Sequence, residues 1–290
     1  MCSWIRTGIL SSFVVVANSW SFRSAGSSHD RPAKTGSGTA NSRRQLLAGA
    51  IAGLITSGGT AARPVWALAP EQAASDYDVY AANYDQLDGG KALSMLGIEE
   101  ARSKLMSQAS GHVLEIGAGT GLNLDKYNPQ KLKSLTLVDI SSGMLREANT
   151  RATSLAANSE FGNIPIKFVQ ADATSELVDL FGEEAFDTVV DSFSLCVMGN
   201  EGAQQCLQQI RRVVKTGTGQ ILLLENSRST NPVLGLYQDA TSDAAASVGG
   251  KGCVYNQNVE AMIRASGQLV IDKEDLYAAG LFRAFQVSRL

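Results

Sequence analysis

Three glycines at alternate positions, Gly117, Gly119 and Gly121, stand directly behind an apolar run, Val113-Leu114-Glu115-Ile116. Glycine admits positive φ and carries no Cβ, so a small molecule can lie against bare backbone at such a turn. The following Leu122-Asn123-Leu124 is expected to open a helix whose free N–H groups point back into the turn. A dinucleotide fingerprint would need its third glycine three residues after the second, and Leu122 stands there instead. A second apolar run, Ser134 to Val138, ends in Asp139, and a third, Ile164 to Gln170, is followed by Ala171-Asp172-Ala173. In an open α/β sheet ligands bind outside the carboxyl ends of the strands. An acid at the position of Asp139 can therefore accept both hydrogen bonds of a ribose diol.

The elements that must position these residues alternate strand and helix. A fourth strand, Phe186-Asp187-Thr188-Val189-Val190-Asp191, leads into Ser192-Phe193-Ser194-Leu195-Cys196, a helix is expected over Ala203 to Val214, and a fifth strand covers Gln220 to Glu225. This order implies a mostly parallel sheet with helices on both faces. Beyond it, Arg228 to Gly250 is polar, alanine-rich and helix-prone, Val259 to Ala265 is a further helix, and Leu269 to Lys273 and Ala284 to Val287 finish the sheet, the last as an antiparallel insertion. Ahead of the glycine turn, Ala73 to Leu87 places Tyr77, Tyr80 and Tyr84 at i, i+3 and i+7 on one helical face. Ala92 to Ala109 reads as a second amphipathic helix, closed at Ser110-Gly111.

Charge divides the chain. Residues 1 to 69 hold seven basic residues and one acid, whereas 70 to 290 hold 18 basic and 27 acidic residues, a net charge of −9. Such a body repels polyanions, which argues against nucleic acid as a partner. Cys196, Cys206 and Cys253 lack metal-ligand spacing, so no metal site is expected and the three read as buried or free thiols.

The glycine turn, written E-x-G-x-G-x-G from Glu115, resembles motif I of the class I S-adenosylmethionine-dependent methyltransferases. Asp139-Ile140-Ser141-Ser142-Gly143-Met144-Leu145 resembles that family's D-x-S-x-x-M-L turn, and Phe186 to Asp191 its F-D-x-V-x-[DS] segment. The Tyr77-Asp78 and Tyr84-Asp85 pairs resemble the opening of the ubiquinone and menaquinone-type members, which folds over the cofactor. The stretch Gly252-Cys253-Val254-Tyr255-Asn256, with Glu225-Asn226-Ser227-Arg228-Ser229, is similar to the methyltransferase-like-7 branch and its fungal mitochondrial inner-membrane relatives. It departs from them at Asn226, where those relatives carry histidine.

The resemblance covers 75 to 290 and implies a Rossmann-like seven-stranded, mostly parallel sheet with a helical cap over 70–110 and a methyltransferase domain over 111–290. It implies S-adenosylmethionine as cofactor, with Glu115 setting the ammonium, Asp139 the ribose, Met144 the adenine face and Asp172 the adenine amino group. Gly117, Ala118, Gly119, Gly121, Ile140, Ala173, Tyr77, Tyr84 and Asp191 complete the expected cofactor set. The methyl rides on a sulfonium, so the reagent is already activated and the protein mainly positions it. Orientation of this kind is worth up to about 7–11 kcal/mol in favourable intramolecular models. A general base is needed only if the acceptor enters protonated. The body's single histidine, His112, is expected at the buried start of the first strand, away from the ligand, which leaves Asp191, Ser192, Tyr84 and Asn226 as candidates near the methyl. The expected activity is methyl transfer to a small, apolar or thiol- or phenol-type acceptor. A non-catalytic cofactor-binding regulatory or assembly protein and a dinucleotide oxidoreductase of the same sheet type are the alternatives.

Residues 1–69 read as a targeting presequence. Ile9 to Ala17 fits a secretory h-region, Ser21 to Ser42 is transit-like, and Ser42-Arg43-Arg44-Gln45-Leu46-Leu47 is a twin-arginine pattern with a cleavage-like Ala67-Leu68-Ala69. Together they resemble a tripartite presequence of an alga with a complex plastid. The expectation is thylakoid lumen or thylakoid membrane, with membrane association through the leader. A mitochondrial presequence with an inner-membrane anchor is the alternative.

Overall fold

The computed structural model describes residues 69–87, 96–157, 160–247 and 252–290. All of them belong to one compact unit. The expected presequence, up to residue 68, and the start of the second expected helix, residues 92–95, lie outside the described residues.

Seven strands form one sheet: β1 (Gly111–Ile116), β2 (Leu132–Asp139), β3 (Ile166–Gln170), β4 (Thr188–Ser192), β5 (Gln220–Asn226), β6 (Leu269–Tyr277) and β7 (Phe282–Arg289). Their spatial order is β3-β2-β1-β4-β5-β7-β6. The first five pair in parallel, and β7 inserts antiparallel between β5 and β6. The strand order reverses between β1 and β4, which opens a crevice at the carboxyl ends of both, directly above the glycine turn.

The helices are α1 (Pro70–Tyr80), α2 (Tyr84–Leu87), α3 (Ile98–Met106), α4 (Ser142–Ala156), α5 (Leu177–Phe181), α6 (Leu195–Val213), α7 (Pro232–Ser247) and α8 (Val259–Ala265). Among the described residues no helix is long and apolar enough to cross a membrane. Side chains alternate across a strand, and here the alternation sorts residues between two cores. Leu114 and Ile116 of β1 join Val189, Leu223 and Phe285 beneath α6 and α8, while Val113 joins Leu137, Val190 and Leu222 beneath α3 and α4. Both faces are covered, as near-continuous apolar parallel strands require.

Three local expectations are corrected. No α-helix follows the glycine turn; a single 3-10 turn, Leu124–Lys126, is followed by extended backbone at Tyr127 (φ −70°, ψ 147°). Pro129 pushes Asn128 out of the helical region (φ −88°, ψ 106°), so the chain cannot continue as helix. The helix before β1 stops at Met106, and Gly111, at φ 74°, serves the start of β1 instead of the helix end. A Cβ on Gly111 would lie 2.4 Å from Asp187 Oδ2, the carboxylate that accepts a hydrogen bond from His112 N. His112 itself is exposed, with Nδ1 2.8 Å from Ser134 Oγ; it is at the far end of the sheet as expected but not buried.

Candidate active site

The turn after β1 takes its shape from positive φ at Gly117 (56°), Gly119 (54°) and Gly121 (78°). The three glycines answer different needs. A Cβ on Gly117 would lie 2.3 Å from Ser194 Cβ, so its absence lets the β4 loop close over the turn. At Gly121 a Cβ would press on Leu124 and Ala148, so this glycine serves the packing of α4. At Gly119 the nearest atom to an added Cβ is Gly117 O at 4.0 Å, so that backbone faces open space. The cleft in front of it is lined by Tyr84, Gly117, Ala118, Gly119, Leu122 and Ser192, among others.

Beneath the turn lies a buried polar network. Glu115 accepts from Asn123 Nδ2 at 2.8 Å and from Tyr127 OH at 2.7 Å, which uses both carboxylate oxygens. Asn123 Nδ2 also donates to Ser192 Oγ at 2.9 Å, and Asn123 Oδ1 accepts from Arg102 at 3.3 Å. Asn123 therefore ties β1 to β4 under the glycines. Burial pushes the Glu115 carboxyl up to about 7 against the lowering pull of Tyr127, Asn123 and Arg102. Arg102 also stacks on Phe193, 5.5 Å from the ring centroid, and Phe193 carries a positive φ of 61°. A bulky residue in that region stores strain, and here it sits at the mouth of the cleft.

Asp139 ends β2 as a brace for two loops. Its Oδ2 accepts from Gly119 N and its Oδ1 from Ser141 N, both at 2.8 Å. Burial raises its carboxyl to about 6, opposed by those two backbone hydrogen bonds. Each oxygen retains a lone pair, so the group can still accept a diol. Ile140 follows it, and Met144, buried, donates its N–H to the Ser141 hydroxyl that caps α4. Asp172, at the end of β3, uses Oδ1 to hold Thr174 N (2.8 Å) and Thr174 Oγ1 (2.7 Å); Ala173 beside it is buried.

The N-terminal segment is stapled over this platform by two carboxylates, those of the Tyr77-Asp78 and Tyr84-Asp85 pairs. Asp78 Oδ1 accepts from Ser141 Oγ at 2.5 Å and from Gly143 N at 2.6 Å, and these hydrogen bonds hold its carboxyl below the usual range. Asp85 accepts from Thr120 Oγ1 at 2.6 Å and pairs with Arg151. Tyr77 lies between Tyr80 and Tyr84, at 6.3 and 6.1 Å between ring centroids. Its phenol is pushed well up by burial, then by the neighbouring Tyr84, Cys196, Cys253 and Asp139.

The four candidates near the methyl separate. Tyr84 and Ser192 line the cleft. Asp191 is buried beneath it, with Oδ1 accepting from Ser194 Oγ and its carboxyl paired with that of Glu225. Asn226 turns toward two thiols, 3.6 Å from both Cys196 Sγ and Cys253 Sγ. Glu225, also buried, accepts from Leu195 N at 3.0 Å, and burial with the Asp191 charge drives its carboxyl well up. Asp191 is raised to about 6, mainly by burial. Asn123, Tyr127, Arg102, Asp78, Asp85 and Glu225 were not singled out from sequence; for the two aspartates, the seven-residue repeat of Tyr-Asp was the available signal.

Residues 113–217 match the family described as a methyltransferase domain. The chain is 30% identical over 188 residues to the ubiquinone/menaquinone biosynthesis C-methyltransferase UbiE of Pseudomonas savastanoi pv. phaseolicola, spanning 62% of this chain and 68% of that protein. The chain belongs to the class I S-adenosylmethionine-dependent methyltransferases. Some relatives are far larger: a polyketide synthase-nonribosomal peptide synthetase, pyiS, of Pyricularia grisea is 34% identical over 128 residues, 43% of this chain but 3% of that protein. A S-adenosylmethionine-dependent methyltransferase of Leishmania major superposes with a TM-score of 0.54 at 13% identity, covering 76% of this chain and 82% of that one, a likeness of fold. S-adenosylmethionine is the methyltransferase's cofactor. The residues present fit it: an open glycine cradle at Gly119 and an adjacent strand-end carboxylate with spare acceptor capacity. Among the described residues no group of three or more His, Cys, Asp or Glu is placed to hold a metal ion.

Proposed function

We propose that the protein transfers the methyl group of S-adenosylmethionine to a small, apolar or thiol- or phenol-type acceptor. The observation that carries this reading is the cleft itself. Open backbone at Gly119, whose N–H is held by the Asp139 carboxylate, lines it together with Tyr84, against which Tyr77 packs. In this reading Gly117, Ala118 and Gly119 hold the methionine part of the cofactor. Asp139 takes the ribose, Met144, Ile140, Asp172 and Ala173 bound the adenine, and Glu115 acts on the ammonium side through Asn123. The acceptor enters between Tyr77, Tyr84, Ser192 and the Asn226 side, where aromatic and sulfur surfaces favour an apolar ring over a charged substrate. UbiE relatives are C-methyltransferases of quinone biosynthesis, which supports trying phenols and quinols first.

The presequence supports import into a plastid, toward the thylakoid lumen or membrane, with the mitochondrion as the alternative compartment. The test is calorimetric titration of residues 70–290 with S-adenosylmethionine and S-adenosylhomocysteine, with NADH as control, followed by methyl-transfer assays on phenols, quinols and thiols. Binding of the first two with transfer to one acceptor class supports the reading. Binding with no transfer to any class turns it toward a cofactor-dependent regulatory or assembly role.

A further inference from the structure

Cys196, in the first turn of α6, and Cys253, in the segment joining α7 to α8, lie 57 residues apart in sequence. Their Sγ atoms are 2.7 Å apart, well inside non-bonded contact for two sulfurs. Val254 N donates to Cys196 O at 2.8 Å, so backbone pairing holds the two segments in register independently of the sulfurs. Asn226 Nδ2, at the end of β5, stands 3.6 Å from each sulfur and orients both. Cys196 is buried, Cys253 is half-buried, and the third described cysteine, Cys206, is buried in the core between α6 and the sheet.

We propose that Cys196 and Cys253 are a site of reversible disulfide formation, which ties residues 252–255 to α6 at the carboxyl ends of β4 and β5. A disulfide bond of about 2.05 Å needs the two sulfurs to close by only a fraction of an ångström in sum. The co-reactant is a small disulfide or an oxidised dithiol protein. Cys253, the more accessible thiol, attacks one sulfur of that disulfide as its thiolate; a mixed disulfide forms and one thiolate leaves. Cys196 then attacks the Cys253 sulfur, and the second thiolate leaves. The two cysteine thiols give up two electrons and two protons, and both protons end on the two thiols released. The adjoining Cys253 sulfur and then burial push the Cys196 thiol up, which disfavours it as the first attacker, whereas its contact with Cys253 makes the second step intramolecular. The inference does not depend on methyl transfer.

The test is oxidation of the folded full chain with oxidised glutathione in the absence of cofactor, followed by mass spectrometry and denaturant unfolding. Apart from any glutathione taken up at Cys2, the expected product has lost two hydrogens and yields one cross-linked peptide pair, Cys196 with Cys253, reversed by dithiothreitol. Its unfolding midpoint lies above that of the reduced protein, because the link constrains the unfolded chain. Cys253→Ser removes both effects, and Cys196→Ser leaves a glutathione on the Cys253 peptide. Cys253→Ser, at a half-buried position, keeps the test usable if the Cys196 variant does not fold. A reaction that stops at a glutathione adduct on Cys253 in the unmutated chain, or a link through Cys206, would overturn the proposal.

Discussion

Asp85 and Thr120 are 35 residues apart in sequence, and a 2.6 Å hydrogen bond from Thr120 Oγ1 to Asp85 Oδ1 joins the N-terminal cap to the glycine turn. Arg151 completes the contact, pairing with Asp85 and donating through Nε to Thr120 O at 3.0 Å. The cofactor loop is thus held from above by a carboxylate outside the sheet. Asp85→Ala is expected to weaken cofactor binding by about 1 kcal/mol, the scale of one partly exposed charged hydrogen bond. Calorimetry on Asp85→Ala, Thr120→Val and the double variant should show the double variant losing no more than the worse single one, since coupled partners are not additive.

Asp139 must be ionised to accept two hydroxyl protons, and burial has raised its carboxyl to about 6. Cofactor affinity should therefore rise with pH through about 6 and level off above it. Asp139→Ala should weaken binding by about 1–3 kcal/mol. Asp139→Asn should flatten the pH dependence; a flat profile in the unmutated protein would remove Asp139 from ribose recognition.

Stability carries its own pH signature. Asp139 and Asp191, each raised from 3.8 to about 6, and Glu115, raised from 4.5 to about 7, keep their protons in the folded state after the unfolded chain has lost them. The folded state binds more protons in that window, so unfolding free energy falls as pH rises from about 4 to about 7. Asp78 and Asp187, held below their ordinary value, act in the opposite direction at more acid pH. Denaturant midpoints of the cofactor-free protein between pH 4.5 and 7.5 should decline, and Glu115→Gln should make the decline shallower.

Gly117→Ala and Gly119→Ala should fail differently. Both place a Cβ at positive φ, but only the first drives it into Ser194. Gly117→Ala is expected to cost about 1–3 kcal/mol of stability from overpacking alone. Gly119→Ala should lose little by packing and instead lose cofactor affinity, because its methyl occupies the open side of the turn. Unfolding curves and titrations on the two variants check the contrast.

Tyr127→Phe removes the donor to Glu115 Oε2 in a site closed to water. The unpartnered carboxylate should cost about 1–3 kcal/mol in chemical denaturation. Tyr127 lies under the turn, so any loss of cofactor affinity should follow the loss of stability.

The sequence alone determined what is local. Short apolar runs marked β1, β2, β4 and β5, and the glycine spacing marked a turn with positive φ, because two-sided burial of a strand and Cβ sterics are written within a few residues. Strand-end positions gave Asp139 and Asp172 for the same reason, since topology places every parallel strand end at one edge. Tertiary structure decided what depends on chain path. Asn123 bridges Glu115 and Ser192, Asp78 and Asp85 reach across from α1 and α2, and Cys196 meets Cys253. None of these pairs is close enough in sequence for its own spacing to place it. The helix expected after the glycine turn was lost to the same competition: local residues permitted it, but Pro129 and the buried Tyr127–Glu115 hydrogen bond required extended chain.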